Sequence, residues 1–165
     1  MAGTLWVISD THFGHTNIIG HCDRPYVSVQ EMNADMMTKW NARVKKGDTI
    51  IHVGDFAFTI DEDEIRTTLE QLNGYKILVR GNHDKSKTKM ARLGFDIVVD
   101  KLAINDVMFV HSPPPFNYNN PEQKIIYGHV HNNSHARPSR KCYNACVELH
   151  DYEPQLFYNI KYSHR

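Results

Sequence analysis

Five short apolar runs in this chain each lead into Asp, Asn or His, and that recurrence constrains the fold more than any other feature. Leu5-Trp6-Val7-Ile8 runs into Ser9-Asp10-Thr11-His12, and Thr49-Ile50-Ile51-His52-Val53 runs into Gly54-Asp55. Tyr75-Lys76-Ile77-Leu78-Val79 runs into Arg80-Gly81-Asn82-His83-Asp84. Val107-Met108-Phe109-Val110 meets His111, and Ile125-Ile126-Tyr127 meets Gly128-His129-Val130-His131. Apolar runs of this length bounded by turn residues read as buried strands. Open α/β sheets place their sites outside the carboxyl ends of strands, where loops from separate strands converge. The polar residues of all five runs are therefore expected in one place.

The intervening segments supply helices. Ser28-Val29-Gln30-Glu31 is a capping box, followed by Met32, Met36 and Trp40 as a core-facing stripe at helical spacing. Thr59-Ile60-Asp61-Glu62 reads as a second capping box, with Ile65, Leu69 and Leu72 on one face and Asn73-Gly74 as the stop. A short helix is expected to end near Gly94. Ile97-Val98-Val99 and Leu102-Ala103-Ile104 are further strands, and Asn105-Asp106 is a hairpin turn into the run from Val107. Tyr143 to Tyr158 reads as two strands around a turn at Asp151 to Pro154. The expected fold is mixed α/β (α+β), a single domain over residues 1–165, with helices covering a mixed sheet or a pair of packed sheets.

Composition narrows the function classes. Lys and Arg total 19 against 19 Asp and Glu, so no global charge draws the chain to nucleic acid or an anionic membrane. No apolar run approaches the length of about 20 residues that spans a bilayer. Met1 to Trp6 has no basic stretch followed by an apolar one, so no signal peptide is expected. Cys22, Cys142 and Cys146 are an odd, sparse set that reads as reduced thiols, and a cytoplasmic location is expected. Histidine is the outlier, with 11 copies of the commonest protein metal ligand.

One zinc ion takes three or four ligands, and the five strand ends offer more. Two cations about 3.5–4 Å apart need a longer ligand set and usually a shared carboxylate. Mixed imidazole nitrogen and carboxylate oxygen suits Mn, Fe, Zn or Ni and is too nitrogen-rich for Ca or Mg. Gly54, Gly81 and Gly128 stand just before candidate ligands, where a strand must turn with no Cβ in the way.

The series Asp10-x-His12, Gly54-Asp55, Gly81-Asn82-His83-Asp84, His111 and Gly128-His129-x-His131 resembles the calcineurin-like metallophosphoesterase superfamily. The wider stretch from Ser9 to Ile19, with Arg24-Pro25 after it, resembles small bacterial and phage members. The resemblance implies a four-layer αββα sandwich, two β-sheets between helices. It implies that Asp10, His12 and His131 hold one metal, that Asn82, His111 and His129 hold the other, and that Asp55 bridges both. Mn is the first expectation for the two divalent ions, with Fe, Zn or Ni as alternatives. His83 is expected to stay off the metals and serve the leaving oxygen or the phosphoryl oxygens, with Asp84 orienting it from behind. The implied reaction is hydrolysis of a phosphoester by in-line attack of hydroxide shared between the ions. Protein Ser/Thr phosphatases of this superfamily carry Asp-Arg-Gly after the Gly-Asp block. Here Phe56-Ala57-Phe58 follows, which turns the expectation toward a phosphodiester or small, nucleotide-like substrate, with a phosphomonoesterase or a non-catalytic metal-binding protein on the same fold as the alternatives.

Other residues receive plainer readings. His15, Asn17 and Arg24 are candidate substrate contacts, Arg24 through a bidentate fork on phosphate. His52, inside an apolar strand, is a satisfied core histidine. His21 and His164 are surface residues, and His135, Arg137, Arg140 and Lys141 form a solvated basic stretch. No Gly-x-Ser-x-Gly elbow or Gly-Lys-Ser/Thr loop supports acyl-enzyme or nucleoside triphosphatase chemistry.

Overall fold

A computed structural model describes residues 3–59, 61–114, 122–133 and 141–162. His135, Arg137, Arg140 and His164 lie outside the described residues, so their expected settings are not addressed by the fold.

The described residues form two sheets. The first contains β1 (Leu5–Ile8), β2 (Thr49–His52), β3 (Tyr75–Val79), β4 (Ile97–Val99) and β9 (Gln155–Leu156), in the order β4-β3-β2-β1-β9. All its pairings are parallel except β1 with β9. The second contains β5 (Leu102–Ile104), β6 (Val107–Val110), β7 (Lys124–Tyr127) and β8 (Cys142–Asn144), in that order. Here β5 and β6 form the expected hairpin, with Asn105 at φ +53° in its turn, and the other two pairings are parallel. The tail holds the two strands expected around Asp151 to Pro154, and they join different sheets, because the chain turns through a 3-10 segment at Val147–Leu149 and crosses to the edge of β1.

Alternation along the strands sorts their side chains between two cores. Val7, Ile51 and Val79 of the first sheet meet Val107, Phe109 and Ile126 of the second in an inter-sheet cluster. Their neighbours Ile8, Ile50 and Leu78 face the other way, onto the helices. Those helices are α1 (Ile18–His21), α2 (Val29–Arg43), α3 (Glu62–Gln71) and α4 (Lys87–Leu93). Met32, Met36 and Trp40 of α2 are fully buried there, as are Ile65 and Leu69 of α3 and Met90 of α4. Helices, first sheet and second sheet thus build three of the four layers expected. On the outer face of the second sheet, Ile125, Tyr127 and Cys142 cluster with Val110 and Val130.

Helix starts follow local chemistry. Ser28 Oγ accepts the N–H of Glu31 at 3.2 Å, and Glu31 reaches back to the N–H of Val27 at 2.8 Å, one residue earlier than in the usual capping box. The start of α3 lies two residues later than the sequence pattern suggests. Asp61, not Thr59, is the cap and accepts from the N–H groups of Asp63 and Glu64. Thr59 instead bonds the Asp61 N–H and the Glu64 carboxylate. Three acidic residues in the first turn complement the helix dipole. No helix among the described residues is long and apolar enough to cross a membrane.

Candidate metal centre

The carboxyl ends of β1, β2, β3, β6 and β7 meet at one edge of the sandwich. Bridging contacts hold the two sheets together there: Ser9 pairs with Cys146 beyond the ends of β1 and β8, and the Val147 N–H bonds Ser9 O at 3.2 Å. The loops after β1 and β2 also pair with each other, Asp10 N to Gly54 O at 3.0 Å and His12 N to Asp55 O at 3.1 Å.

Asp10, His12, Asp55, His129 and His131 all have φ between +48° and +74°. A non-glycine residue in this left-handed region costs about 1–3 kcal/mol, and such strain persists where surrounding structure enforces it, typically at functional sites. Here the pairing of the loops after β1 and β2, and the bond from the His129 N–H to Asp10 Oδ2, enforce it, and the strained residues of three loops, after β1, β2 and β7, gather at one place. Gly128 and Gly81 permit the closest approaches. A Cβ on Gly128 would lie 2.2 Å from Asp10 Oδ2, and one on Gly81 would lie 2.2 Å from Asp55 Oδ1.

Two groups of donors result, Asp10 with His12 and His131, and Asp55 with His111 and His129. In the first, Asp10 is fully buried, and its Oδ2 accepts from Ser9 Oγ, the His129 N–H and Cys146 Sγ. Its Oδ1 has no hydrogen-bond partner, nor has the buried Nε2 of His12. Both His12 Nε2 and His131 Nε2 stand 3.8 Å from that oxygen. This is too long for a hydrogen bond. It suits ligand atoms sharing one ion, since two bonds of about 2.1 Å span at most about 4.2 Å. In the second group, His129 Nδ1 lies 3.2 Å from His111 Nε2, and Asn82 Oδ1 lies 2.9–3.0 Å from both rings. Asp55 stands between the groups, its Oδ2 3.3 Å from His111 Nε2 and 3.7 Å from His12 Nε2. The donor set therefore fits a pair of cations.

Backbone and carboxylate partners fix the histidine tautomers. His111 Nδ1 donates to Val53 O at 2.8 Å, and His131 Nδ1 donates to Glu148 Oε1 at 2.9 Å, so each presents Nε2 to the centre. Electrostatics tie the cluster together. Burial raises the Asp10 carboxyl, but the neighbouring His12, His111 and His131 and the Ser9 hydroxyl outweigh it and hold it well below the usual range. Burial likewise opposes ionisation of Asp55, and contact with His111 reverses it. Burial lowers His111 and His131, yet contact with Asp55 lifts His111 to about 9, and hydrogen bonds with Cys22 and Glu148 lift His131 to about 10.

His83 projects beside the centre without entering either donor group. Its side chain is 40% exposed and its Nε2 lies 4.0 Å from Asp55 Oδ2. The expected role of Asp84 requires correction. Its carboxylate does not reach the His83 ring but accepts the backbone N–H groups of Asp55, Phe56 and Gly81 at 2.8–2.9 Å. Buried between the loops after β2 and β3, it clasps them together, because those N–H groups point inward with no strand partner.

The candidate substrate contacts separate. His15 stacks on Phe58, ring centroids 4.3 Å apart, with its Nδ1 3.4 Å from His12 Nδ1. Burial and the surrounding His12 and His83 push it down to about 4. Asn17 is exposed at the start of α1 and makes no capping bond. Arg24 is corrected: its side chain is wholly buried and spends its guanidinium on Asp10 O, Thr11 O and Glu148, leaving no fork for phosphate. His52 is buried in the core as expected but only half satisfied: its Nε2 bonds Thr11 Oγ1 at 2.9 Å while its buried Nδ1 has no hydrogen-bond partner, and burial lowers it to about 3. His21 is exposed.

Sequence reasoning missed Glu148, Phe58 and the Asp10 partners Ser9 and Cys146. Phe58 follows the Gly54-Asp55 block, is 46% exposed, and meets the His83 ring edge-on at 5.0 Å. With His83, Ile65 and Met90 it lines a cleft of about 180 Å³.

The chain is similar to other proteins in sequence and in fold. The chain is 35% identical over 156 residues to the uncharacterised protein MJ1445 of Methanocaldococcus jannaschii, covering 91% of this chain and 85% of that one. The crystal structure of AQ665 from Aquifex aeolicus, a protein of unknown function, superposes with a TM-score of 0.71 at 29% identity, covering 92% of this chain and 94% of that one. The model of the calcineurin-like phosphoesterase superfamily domain matches residues 4–143, which hold every donor of the two groups, and the chain belongs to that superfamily.

Proposed function

We propose that this protein is a dinuclear-metal phosphoesterase acting on a phosphodiester or nucleotide-type ester. The observation that carries this reading is the pair of unpartnered buried atoms, Asp10 Oδ1 and His12 Nε2, converging beside an Asp55 oxygen that faces both donor groups. Unpaired polar atoms at such depth are costly unless something completes them. In this reading Asp10, His12 and His131 hold one cation, Asn82, His111 and His129 the other, and Asp55 both. The mix of nitrogen and oxygen donors suits Mn, Fe, Zn or Ni, with Mn the first to test.

Two such cations, when bound, would supply hydroxide at neutral pH and offset charge on the phosphoryl oxygens. The chain's own residues do the rest. His83, exposed and outside both donor groups, holds a proton at Nε2 for the leaving oxygen. Asp84 keeps Asp55 and the Gly81 turn in register so that the shared carboxylate does not move. Phe58 and His15 offer a flat aromatic surface next to His83, which favours a planar leaving group such as an aryl ring or nucleobase over a bare phosphomonoester.

The test pairs composition with turnover. Metal-stripped protein reconstituted with Mn²⁺ should bind two ions per chain and hydrolyse bis(p-nitrophenyl) phosphate faster than p-nitrophenyl phosphate. Preference for the monoester would overturn the diester assignment. Two bound ions with no turnover of nucleotides, cyclic nucleotides or simple esters would mark a metal-binding protein without catalysis.

A further inference from the structure

Glu148 belongs to no motif and Arg24 only follows the Ser9 to Ile19 stretch, yet both are buried against the metal centre. The Glu148 side chain is 2% exposed and the Arg24 side chain fully buried. Arg24 Nε and one Nη both donate to Glu148 Oε1, at 3.0 and 2.6 Å. The same oxygen accepts from His131 Nδ1 at 2.9 Å. The two Nη groups also donate to Thr11 O and Asp10 O, each at 2.8 Å. One guanidinium thus ties together the strained Asp10 loop and the carboxylate that holds His131.

We infer that Arg24 and Glu148 are positioning residues that set the affinity of the Asp10–His12–His131 site for its cation; the inference rests on the dinuclear reading above. A carboxylate oxygen can only accept, so Glu148 keeps the proton of His131 on Nδ1 and the lone pair on Nε2, which faces Asp10 Oδ1. It also raises the basicity of the ring as a ligand. Arg24 makes that carboxylate tolerable at such depth, since a buried charge without a partner is strongly unfavourable. Its bonds to the Asp10 and Thr11 carbonyls hold the second ligand-bearing segment at a fixed distance from the first. Among the described residues the other donor group has no counterpart to this pair, since His111 rests on the Val53 carbonyl instead. The bracing is therefore specific to one of the two ions.

A competing use of Glu148 exists. Cys22, His131 and Glu148 offer atoms within 4.8 Å of one another, and Glu148 Oε2 is buried with no hydrogen-bond partner. Together they could take a third ion. The guanidinium 2.6 Å from the Glu148 carboxylate argues against it, because a divalent cation there would face a fixed positive charge.

Metal-stripped wild type, Glu148→Gln and Arg24→Lys are titrated with Co²⁺ by calorimetry and visible absorption. Gln keeps the shape and an acceptor oxygen, and Lys keeps the charge but loses the fork, so folding is checked by circular dichroism on proteins close to native. The expected result is two binding steps in wild type, with one step weakened about 10- to 100-fold in each variant and the other step and its absorption spectrum unchanged. Equal weakening of both steps would show a general structural role and overturn the inference, as would two unaltered steps. A third Co²⁺ in wild type that disappears in Cys22→Ser would also overturn it. Wild type that binds no Co²⁺ would instead overturn the dinuclear reading itself.

Discussion

The backbone N–H of His83 bonds Asp55 Oδ1 at 2.9 Å and so turns Asp55 Oδ2 toward the space between His111 and His12. One oxygen is fixed by the loop after β3 and the other is left for both donor groups. Asp55→Asn replaces one of these oxygens by an amide that cannot bridge. Metal content after equilibration with Mn²⁺ and desalting should fall at both sites together. Loss of a single ion would place Asp55 in one site only.

His83 contributes its main chain to that geometry and its ring to substrate. His83→Ala keeps the N–H, so two ions should still bind. Turnover should fall about 100-fold or more, the usual scale for a lost general acid. Metal analysis and steady-state kinetics on the same sample separate the two roles. A variant stripped of both ions would show that the ring itself supports the centre.

Asp84 is expected to matter for stability more than for protonation. Its carboxylate is the acceptor for three backbone N–H groups across two loops. In Asp84→Asn the amide nitrogen opposes at least one of them, and an unsatisfied buried N–H costs about 1–3 kcal/mol. Urea unfolding of the metal-free protein should show a loss on that scale. A stability equal to wild type, with only the pH dependence of turnover altered, would restore the role of orienting His83.

Gly128→Ala probes the first donor group from outside its ligands. The added Cβ would fall 2.1 Å from Ser9 Oγ and 2.2 Å from Asp10 Oδ2, in a buried place where both side chains are held by hydrogen bonds. Asp10 must shift, and its Oδ1 with it. The ion held with His12 and His131 should bind at least about tenfold more weakly, the order seen when ligand orientation is disturbed. Titration with Co²⁺ reads this directly, and wild-type affinity at both sites would show that Asp10 is not held by this contact.

The sequence made the strands and their loop residues legible because each apolar run ended on a ligand type and the glycines marked where backbones press together. The resemblance of those blocks to the superfamily is what singled out Asp10, His12, Asp55, Asn82, His111, His129 and His131, and these residues do lie together. What lay beyond it depended on contacts distant in sequence. Glu148 sits 17 residues past His131, in a tail with no motif, and only the crossing from β8 to β9 returns it to the site. Arg24 was legible as an unusual arginine near the site but not as a buried one, since its partners are two carbonyls and a carboxylate 124 residues away. Asp84 misled for a related reason. Adjacency to His83 suggested a dyad, while backbone N–H groups of the neighbouring loop, invisible in sequence, claimed its carboxylate. The start of α3 moved because two residues could cap it, and Asp61, nearer the acidic first turn, took the free N–H groups.

Phe58 offers the sharpest handle on substrate. It occupies the stretch after Gly54-Asp55 where protein phosphatases of the superfamily carry their Asp-Arg-Gly, and it presents an exposed ring against His15 and His83. A ring stacked there adds about 0.5–1.5 kcal/mol beyond area burial. Phe58→Ala should therefore raise KM for diesters with an aryl or nucleobase leaving group about threefold to tenfold, that energy read as a binding ratio. Diesters with a methyl or ethyl leaving group make no such contact, so their KM should stay near wild type. Metal content should not change, because Phe58 belongs to neither donor group. Equal changes for aryl and alkyl esters would mean that the ring only shapes His83, and the preference for a planar leaving group would fall.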